Sequence, residues 1–214
     1  NTYLERDIRS LGEVGNLDDY SHLLKILAFE LGSIFNISSI SSDLGIAYNT
    51  VKKYISILRD TFILNSLQPL FGRTRRKFVK SNKMYFFDIG IANFLTKRTE
   101  KEHIRDACGF LFENLLLKSF ESENENRTVP KSFYFWRDYE GHEIDLVFEI
   151  NARQYIPVEI HLGKDFPKKK MRNYYAFFEK FKNSEFGIFI YQGDVKVEKV
   201  SGKPIYLLPW WLWW

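Results

Sequence analysis

Two acidic segments, Glu143-Ile144-Asp145 and Val158-Glu159-Ile160-His161, hold the residues best suited to chemistry in this chain. Carboxylates set side by side repel, which raises a pKa unless a cation lies between them. Oxygen ligands of this kind suit Mg²⁺ or Mn²⁺, and such an ion polarises a phosphodiester and activates water. The bland alternative is a solvated sheet face on which acids happen to be neighbours.

Paired strands must position these acids. Ile144, Leu146, Phe148 and Ile150 alternate along one segment, and Ile156, Val158 and Ile160 along the other, so each set lines one side of its strand. With Asn151, Ala152 and Arg153 as the loop, Phe148 faces Ile156, Leu146 faces Val158 and Ile144 faces Ile160. The same register sets Asp145 opposite Glu159 and Glu143 opposite His161. A two-residue turn would slip the pairing by one and put apolar side chains on opposite faces. Pro157 cannot donate to a ladder, so it should lie where no donor is needed.

The 214 residues suffice for one large domain or two modest ones. With 45% hydrophobic and 27% charged residues, the composition is that of an ordered soluble protein. A net charge of +4 and a pI near 9.0 permit nucleic-acid binding, although local clustering decides it. Cys108 stands alone, which excludes an internal disulfide and fits a reducing cytoplasm. No apolar run approaches the roughly 18 residues of a membrane span, so no membrane partner is expected. The chain opens at Asn1 rather than Met and contains no G-x-x-x-x-G-K-[ST] stretch. A piece of something longer is expected, with ATP a cofactor only if an upstream ATPase domain exists.

Helical periodicity dominates to about residue 60. Leu23, Leu24, Leu27, Leu31 and Ile34 recur at helical spacing, and Ser38 to Ser42 offer N-caps for a short helix ending near Gly45. Val51, Ile55, Leu58 and Phe62 form the buried stripe of the next helix, whose other face shows Asn49, Lys52, Lys53, Ser56 and Arg59. Strand-like Ile63 to Leu70 and Met84 to Phe87 flank a run holding Arg73, Arg75, Arg76, Lys77, Lys80 and Lys83 without an acid. Helix, turn, polar-faced helix and basic hairpin outline a winged helix. In that outline Asn49, Lys52 and Lys53 enter a major groove, while Arg73, Arg75, Arg76 and Lys77 meet phosphates. A protein-binding module or a merely solvated charge run is the alternative.

The second half predicts a helix over 102–121 with Ile104, Cys108, Leu111 and Leu115 as its stripe and Glu113 at its edge. Strand-like Ser132 to Arg137, the acidic hairpin, a helix near 166–181, and strands at 186–191 and 195–200 follow. The order is α-β-β-β-α-β with a further strand or two, which makes the chain α/β in content and α+β overall. Lys168, Lys169, Lys170 and Arg172 crowd a helix start, where the helix dipole disfavours them, so a phosphate backbone is expected beside them. The alternative there is a solvated turn. His22, His103 and His142 lack ligand-like companions, and Cys108 suits core packing. The tail Trp210-Trp211-Leu212-Trp213-Trp214 either covers the domain's own core or docks on a neighbour.

Several stretches resemble the C-terminal region shared by archaeal and bacterial AAA-type ATPases of unknown role. They are Tyr3-Leu4-Glu5-Arg6-Asp7-Ile8, Lys83-Met84-Tyr85-Phe86-Phe87-Asp88-Ile89-Gly90 and Gly109-Phe110-Leu111-Phe112-Glu113-Asn114. Phe135-Trp136-Arg137, Glu143-Ile144-Asp145 and Pro157-Val158-Glu159-Ile160 complete the set. The resemblance implies a helical lead-in and winged helix over 1–98, then a restriction-endonuclease-like PD-(D/E)xK domain over 99–214. It also implies an ATPase domain N-terminal to this stretch. On that pattern Glu113 is the helix acid, Asp145 the metal-binding strand acid and Glu159 the acid of E-x-K, with the Ile160 carbonyl also reaching the metal. The pattern's Lys falls on His161, a departure. His161 paired with Glu143 would partly substitute for it, or Lys164 or Lys168 would swing into the gap.

The leading expectation is a cytoplasmic, nucleic-acid-binding region, with DNA as partner and a nuclease fold that has lost catalysis. A working metal-dependent endonuclease using Glu113, Asp145, Glu159 and His161 is the competitor. A protein-interaction or assembly module, homo-oligomeric or attached to the ATPase, is the third reading.

Overall fold

The structure, a computed structural model, describes residues 14–70, 81–98, 100–151 and 153–213, apart from the side chains of 101–107 and 213. The basic run Arg73, Arg75, Arg76 and Lys77 and the stretch Tyr3 to Ile8 lie outside the described residues. The fold is α+β. Two compact units divide the chain, Asn1–Ser66 with Met84–Asp106 and Leu67–Lys83 with Ala107–Trp214.

In the first unit, α1 (Leu17–Phe29) buries Tyr20, Leu23, Leu24, Leu27 and Ala28 and is capped by the Asn16 side chain. Helix α2 (Ile37–Leu44) starts on Asn36, whose Oδ1 accepts from the Ser38 and Ser39 amides. The serines offered as caps thus lie inside the helix, because Asn36 already satisfies its first free donors. Gly45 ends α2 in the left-handed region, φ 66°, and α3 (Tyr48–Asp60) follows at once. Val51, Ile55 and Leu58 are buried as the periodicity predicts. Phe62 departs from that stripe. The helix stops at Asp60, and Phe62 takes φ 55° with its ring 70% exposed. Ile63 N–H closes on the Leu58 carbonyl and Phe62 N–H on Arg59, the paired bonds of a helix C-cap whose left-handed residue here is Phe62. Helix α4 (Ile89–Leu95), capped by Asp88, completes this unit.

The strands are β1 (Leu64–Pro69), β2 (Lys83–Phe86), β3 (Ser132–Arg137), β4 (Glu143–Asn151), β5 (Gln154–Ile160), β6 (Gly187–Tyr191), β7 (Lys196–Val200) and β8 (Lys203–Pro209). Their hydrogen-bonded order is β2-β1-β3-β4-β5-β6-β8-β7. Helix α5 (Lys101–Glu125) precedes β3, and α6 (Lys168–Lys180) lies between β5 and β6. The α-β-β-β-α-β order read from periodicity is therefore present from α5 to β6.

On α5 the buried side chains described are Leu111, Asn114, Leu116, Leu117 and Phe120, whereas Leu115 is exposed and Cys108 half-buried. The buried face is turned relative to the expected stripe because Phe120 packs edge-on against Phe148 of β4, ring centroids 5.5 Å apart. Helix α6 covers the other side of the hairpin. Its Tyr174, Phe177 and Phe178 join Trp136, Val147, Phe189, Tyr191 and Leu207 in one apolar cluster. Each fully buried Phe contributes about 1.5–3 kcal/mol relative to exposure, so this cluster clamps α6 over the hairpin.

The β4–β5 ladder pairs Leu146 with Val158 and Phe148 with Ile156, the register the apolar match selects. Its turn differs from the expected three-residue loop. Asn151 pairs with Gln154, with Arg153 at φ 70°, and the ladder is irregular between Glu149 and Asn151. The bulge at Ile150 absorbs the one-residue slip that a tight turn would impose. Pro157 stands opposite Val147, one position before the parallel β5–β6 ladder opens at Val158–Ile188. It is placed where the β6 side asks no donor of it.

Candidate functional site

The register continues from Leu146–Val158 to set Asp145 beside Glu159, and α6 delivers three side chains onto them. Lys170, Asn173 and Tyr174 stand at i, i+3 and i+4, one face of the helix. Lys170 Nζ donates to Asp145 Oδ2 at 2.9 Å and also to Glu159 Oε2. Asn173 Nδ2 donates to Glu159 Oε1 at 2.7 Å. The Ile160 amide donates to Asp145 Oδ2 at 2.8 Å. The Glu159 amide donates to the Tyr174 hydroxyl at 3.2 Å, and that hydroxyl donates onward to the Ile188 carbonyl. The Glu159 side chain is wholly buried and that of Asp145 is 8% exposed.

A second lysine repeats the arrangement beside the first. Lys83, at the start of β2, is 2% exposed. Its Nζ lies 3.2 Å from Glu113 Oε1 of α5 and pairs with Glu143 Oε1 of β4. Arg137 reaches Glu143 Oε2 at 3.6 Å from the rim. Four acids, the buried Lys83 and the half-buried Lys170 thus form one neighbourhood, since the Lys83 charge also acts on Asp145.

Burial alone would raise the Asp145 pKa, but Lys170 and Lys83 outweigh it and hold Asp145 well below the carboxylate range. Glu159 goes the other way. Burial and the adjacent Asp145 charge push it well above its usual value, against the pull of Lys170. Burial would lower both lysines, yet the acids around them raise both. Asp145 is therefore the anion of the pair, and Glu159 keeps its proton to a higher pH.

That ordering predicts a pH signature. A carboxyl whose folded pKa is raised stabilises the fold fully below its unfolded value, near 4.5 for Glu159, and loses that contribution as pH climbs through the folded value. Melting temperatures of wild type and Glu159→Gln across pH 5 to about 9 are expected to converge or cross in the mutant's favour as pH rises. A difference independent of pH would show that Glu159 titrates normally.

The remaining sequence-derived residues fall elsewhere. His161 follows the end of β5; its ring stacks on Phe189 at 5.9 Å, and its Nε2 faces Asp165 Oδ1 at 3.4 Å. The expected Glu143–His161 partnership is replaced by Glu143 with Lys83 and Arg137. Lys168 and Lys169 are exposed at the start of α6, but Lys170 turns inward, so its expected phosphate contact gives way to the acid pair. Lys164 is exposed and makes no described contact with the acids. Ile160 meets Asp145 through its amide. Asn49, Lys52 and Lys53 are exposed on α3 with Ser56 and Arg59. His142 does have companions: its Nδ1 lies 2.8 Å from Asp138 Oδ2 and 3.8 Å from Glu140 Oε2 on the β3–β4 turn.

Lys83, Lys170, Asn173 and Tyr174 are what sequence reasoning missed in this site. The i, i+3, i+4 spacing of the α6 residues, continuing to Phe177 on the buried face, was the available clue. Nothing local marks Lys83 as buried.

A divalent ion does not fit the Asp145–Glu159 pair as it stands. Lys170 Nζ lies between the two carboxylates, and protein donors take three of their four oxygens.

The trailing Trp210–Trp213 turn sets Trp210 edge-on to Phe112, with centroids 6.1 Å apart, and leaves Trp211 and Leu212 exposed. Among the described residues no helix is long and apolar enough to cross a membrane.

Comparison with known proteins places two family models along the chain, each a domain of unknown function. DUF8612 matches residues 1–102 and DUF4143 matches residues 108–213. Two uncharacterized proteins, from Mycobacterium tuberculosis and Mycobacterium bovis, are each 25% identical over 156 residues, 72% of this chain and 34% of theirs. The chain thus spans about a third of the length of these curated relatives. A half-complex of Thermococcus gammatolerans McrB AAA+ hexamers with bound McrC aligns with 89% of this chain and 71% of its own at 10% identity. Its TM-score of 0.37 is too low to assign a fold.

Proposed function

We propose that this chain is a nucleic-acid-binding region that works with an AAA-type ATPase domain and binds rather than cuts through its nuclease-like second unit. The observation that carries the binding half is the solvent face of α3. Lys52, Lys53 and Arg59 project there with Asn49 and Ser56, directly after the Gly45 turn, while Val51, Tyr54, Ile55 and Leu58 fix the opposite face in the core. A helix held this way, with its cations free of buried partners, suits a groove lined by phosphates. The resemblance of the sequence motifs supports the ATPase attachment. The non-cutting half is supported by Lys170, which lies where a catalytic metal would have to bind.

Fluorescence anisotropy on a labelled duplex across roughly 50 to 200 mM salt tests the binding. Lys52→Glu with Lys53→Glu is expected to weaken it and to reduce the salt slope by about 0.9 for every phosphate that is no longer neutralised. An unchanged slope would remove α3 from the interface. No binding even at the lowest salt would move the assignment to a protein-interaction module. Supercoiled plasmid is expected to stay intact with Mg²⁺ or Mn²⁺. Cleavage by wild type that Asp145→Ala abolishes would instead make the chain an endonuclease.

A further inference from the structure

We propose that Lys170 is the resident cation of the Asp145–Glu159 pair, occupying the place a divalent ion would take, so that the wild-type chain binds neither Mg²⁺ nor Mn²⁺ there. The inference extends the non-cutting half of the proposed function to the chemistry of this pair and is independent of whether DNA binds α3.

Three features of the geometry lead to it. The first is occupancy: one ammonium touches Asp145 Oδ2 and Glu159 Oε2 together, as a bridging metal would. The second is that protein donors already engage three of the four carboxylate oxygens. Asp145 Oδ2 also accepts the Ile160 amide, and Glu159 Oε1 is held by Asn173. Mg²⁺ requires near-octahedral oxygen at about 2.0–2.1 Å and keeps several of its waters, whereas the Glu159 side chain has no exposed surface. The third is that a cation is already in place. Lys83 serves Glu113 and Glu143 as Lys170 serves Asp145 and Glu159, so each pair of acids already has its own cation. A divalent ion arriving beside either ammonium would meet like charge at close range, in surroundings that screen it poorly.

Removing the ammonium should therefore create the metal site. Lys170→Ala leaves two neighbouring carboxylates, one vacated volume and no cation between them, which is the setting hard cations occupy. Lys170→Met removes the charge while retaining an apolar stem, and so separates the effect of charge from that of space.

Mn²⁺ titration followed by EPR, on wild type, Asp145→Asn, Lys170→Ala, and Lys170→Ala with Asp145→Asn, reads this directly. Wild type and Asp145→Asn are expected to show the same weak background, to which the turn carrying Asp138, Glu140 and His142 contributes. Lys170→Ala is expected to gain one site about ten-fold or more tighter than that background, which Asp145→Asn removes. Mn²⁺ should also raise the melting temperature of Lys170→Ala but not of wild type. Should Lys170→Ala fold poorly without metal, recovery of its tryptophan signal on adding Mn²⁺ reports the same gain. A Mn²⁺ site in wild type that Asp145→Asn abolishes would overturn the proposal. So would a Lys170→Ala protein that gains none. Plasmid and anisotropy results bear on the proposed function alone, so failure of one claim is distinguishable from failure of the other.

Discussion

Lys170→Met is expected to destabilise the second unit by about 3–5 kcal/mol at neutral pH, the range for breaking one side of a buried ion pair. The substitution keeps most of the apolar stem, so the loss comes from charge. It leaves Asp145 ionised without its nearest cation and takes the ammonium donor away from Glu159. All five tryptophans lie at or beyond Trp136, within the second unit, so tryptophan fluorescence during urea unfolding reports that unit directly. Replacing the whole group, Lys170→Met with Asp145→Asn and Glu159→Gln, should recover much of the loss, since neutral side chains carry no uncompensated charge. A loss of less than about 1 kcal/mol for the single change would show that water reaches the pair and screens it like a surface bridge.

The hairpin was legible in the sequence because its apolar positions admit one register. Phe148–Ile156 and Leu146–Val158 pair as the alternation requires, and Asp145 beside Glu159 follows from them. The turn was not legible. Alternation constrains which side chains share a face, but a bulge at Ile150 can restore that sharing around either loop length. Burying the apolar face outweighs local turn preference, and the chain accepts Arg153 in the left-handed region to achieve it.

The role of Lys170 is hidden in the sequence for a different reason. Its neighbours Lys168 and Lys169 make a basic helix start, and local composition treats the three alike. Successive helix positions point about 100° apart, so one of them must turn toward whatever Phe177 and Tyr174 bury. His161 shows the limit of motif spacing. Its place two residues after Glu159 is right for the pattern, yet β5 ends at Ile160 and the ring finds Phe189 instead. The cation that does meet Asp145 and Glu159 is on α6, further along the chain, through an arrangement that only the packed fold creates.

Lys83→Met should cost the second unit a further loss of the same order, about 3–5 kcal/mol at neutral pH, with a pH dependence that identifies its origin. Lys83 stands between Glu113 and Glu143 and also acts on Asp145, and Arg137 at 3.6 Å from Glu143 is the only other cation described near that acid. In wild type the lysine pKa is raised, so its contribution is complete below 10.5 and is lost only as pH climbs through the folded value. Without Lys83 the clustered acids lose their cation and bind protons more readily folded than unfolded. Their penalty then grows as pH rises above the ordinary carboxylate range and fades as pH falls into it. Urea unfolding of Lys83→Met and wild type is therefore expected to differ most at pH 7 and to draw together toward pH 4 to 5, within roughly the range where Glu and Asp titrate. A deficit equally large at both pH values would point to poorer packing around the lysine stem, and would remove Lys83 from the electrostatic balance on which both halves of this acid cluster depend.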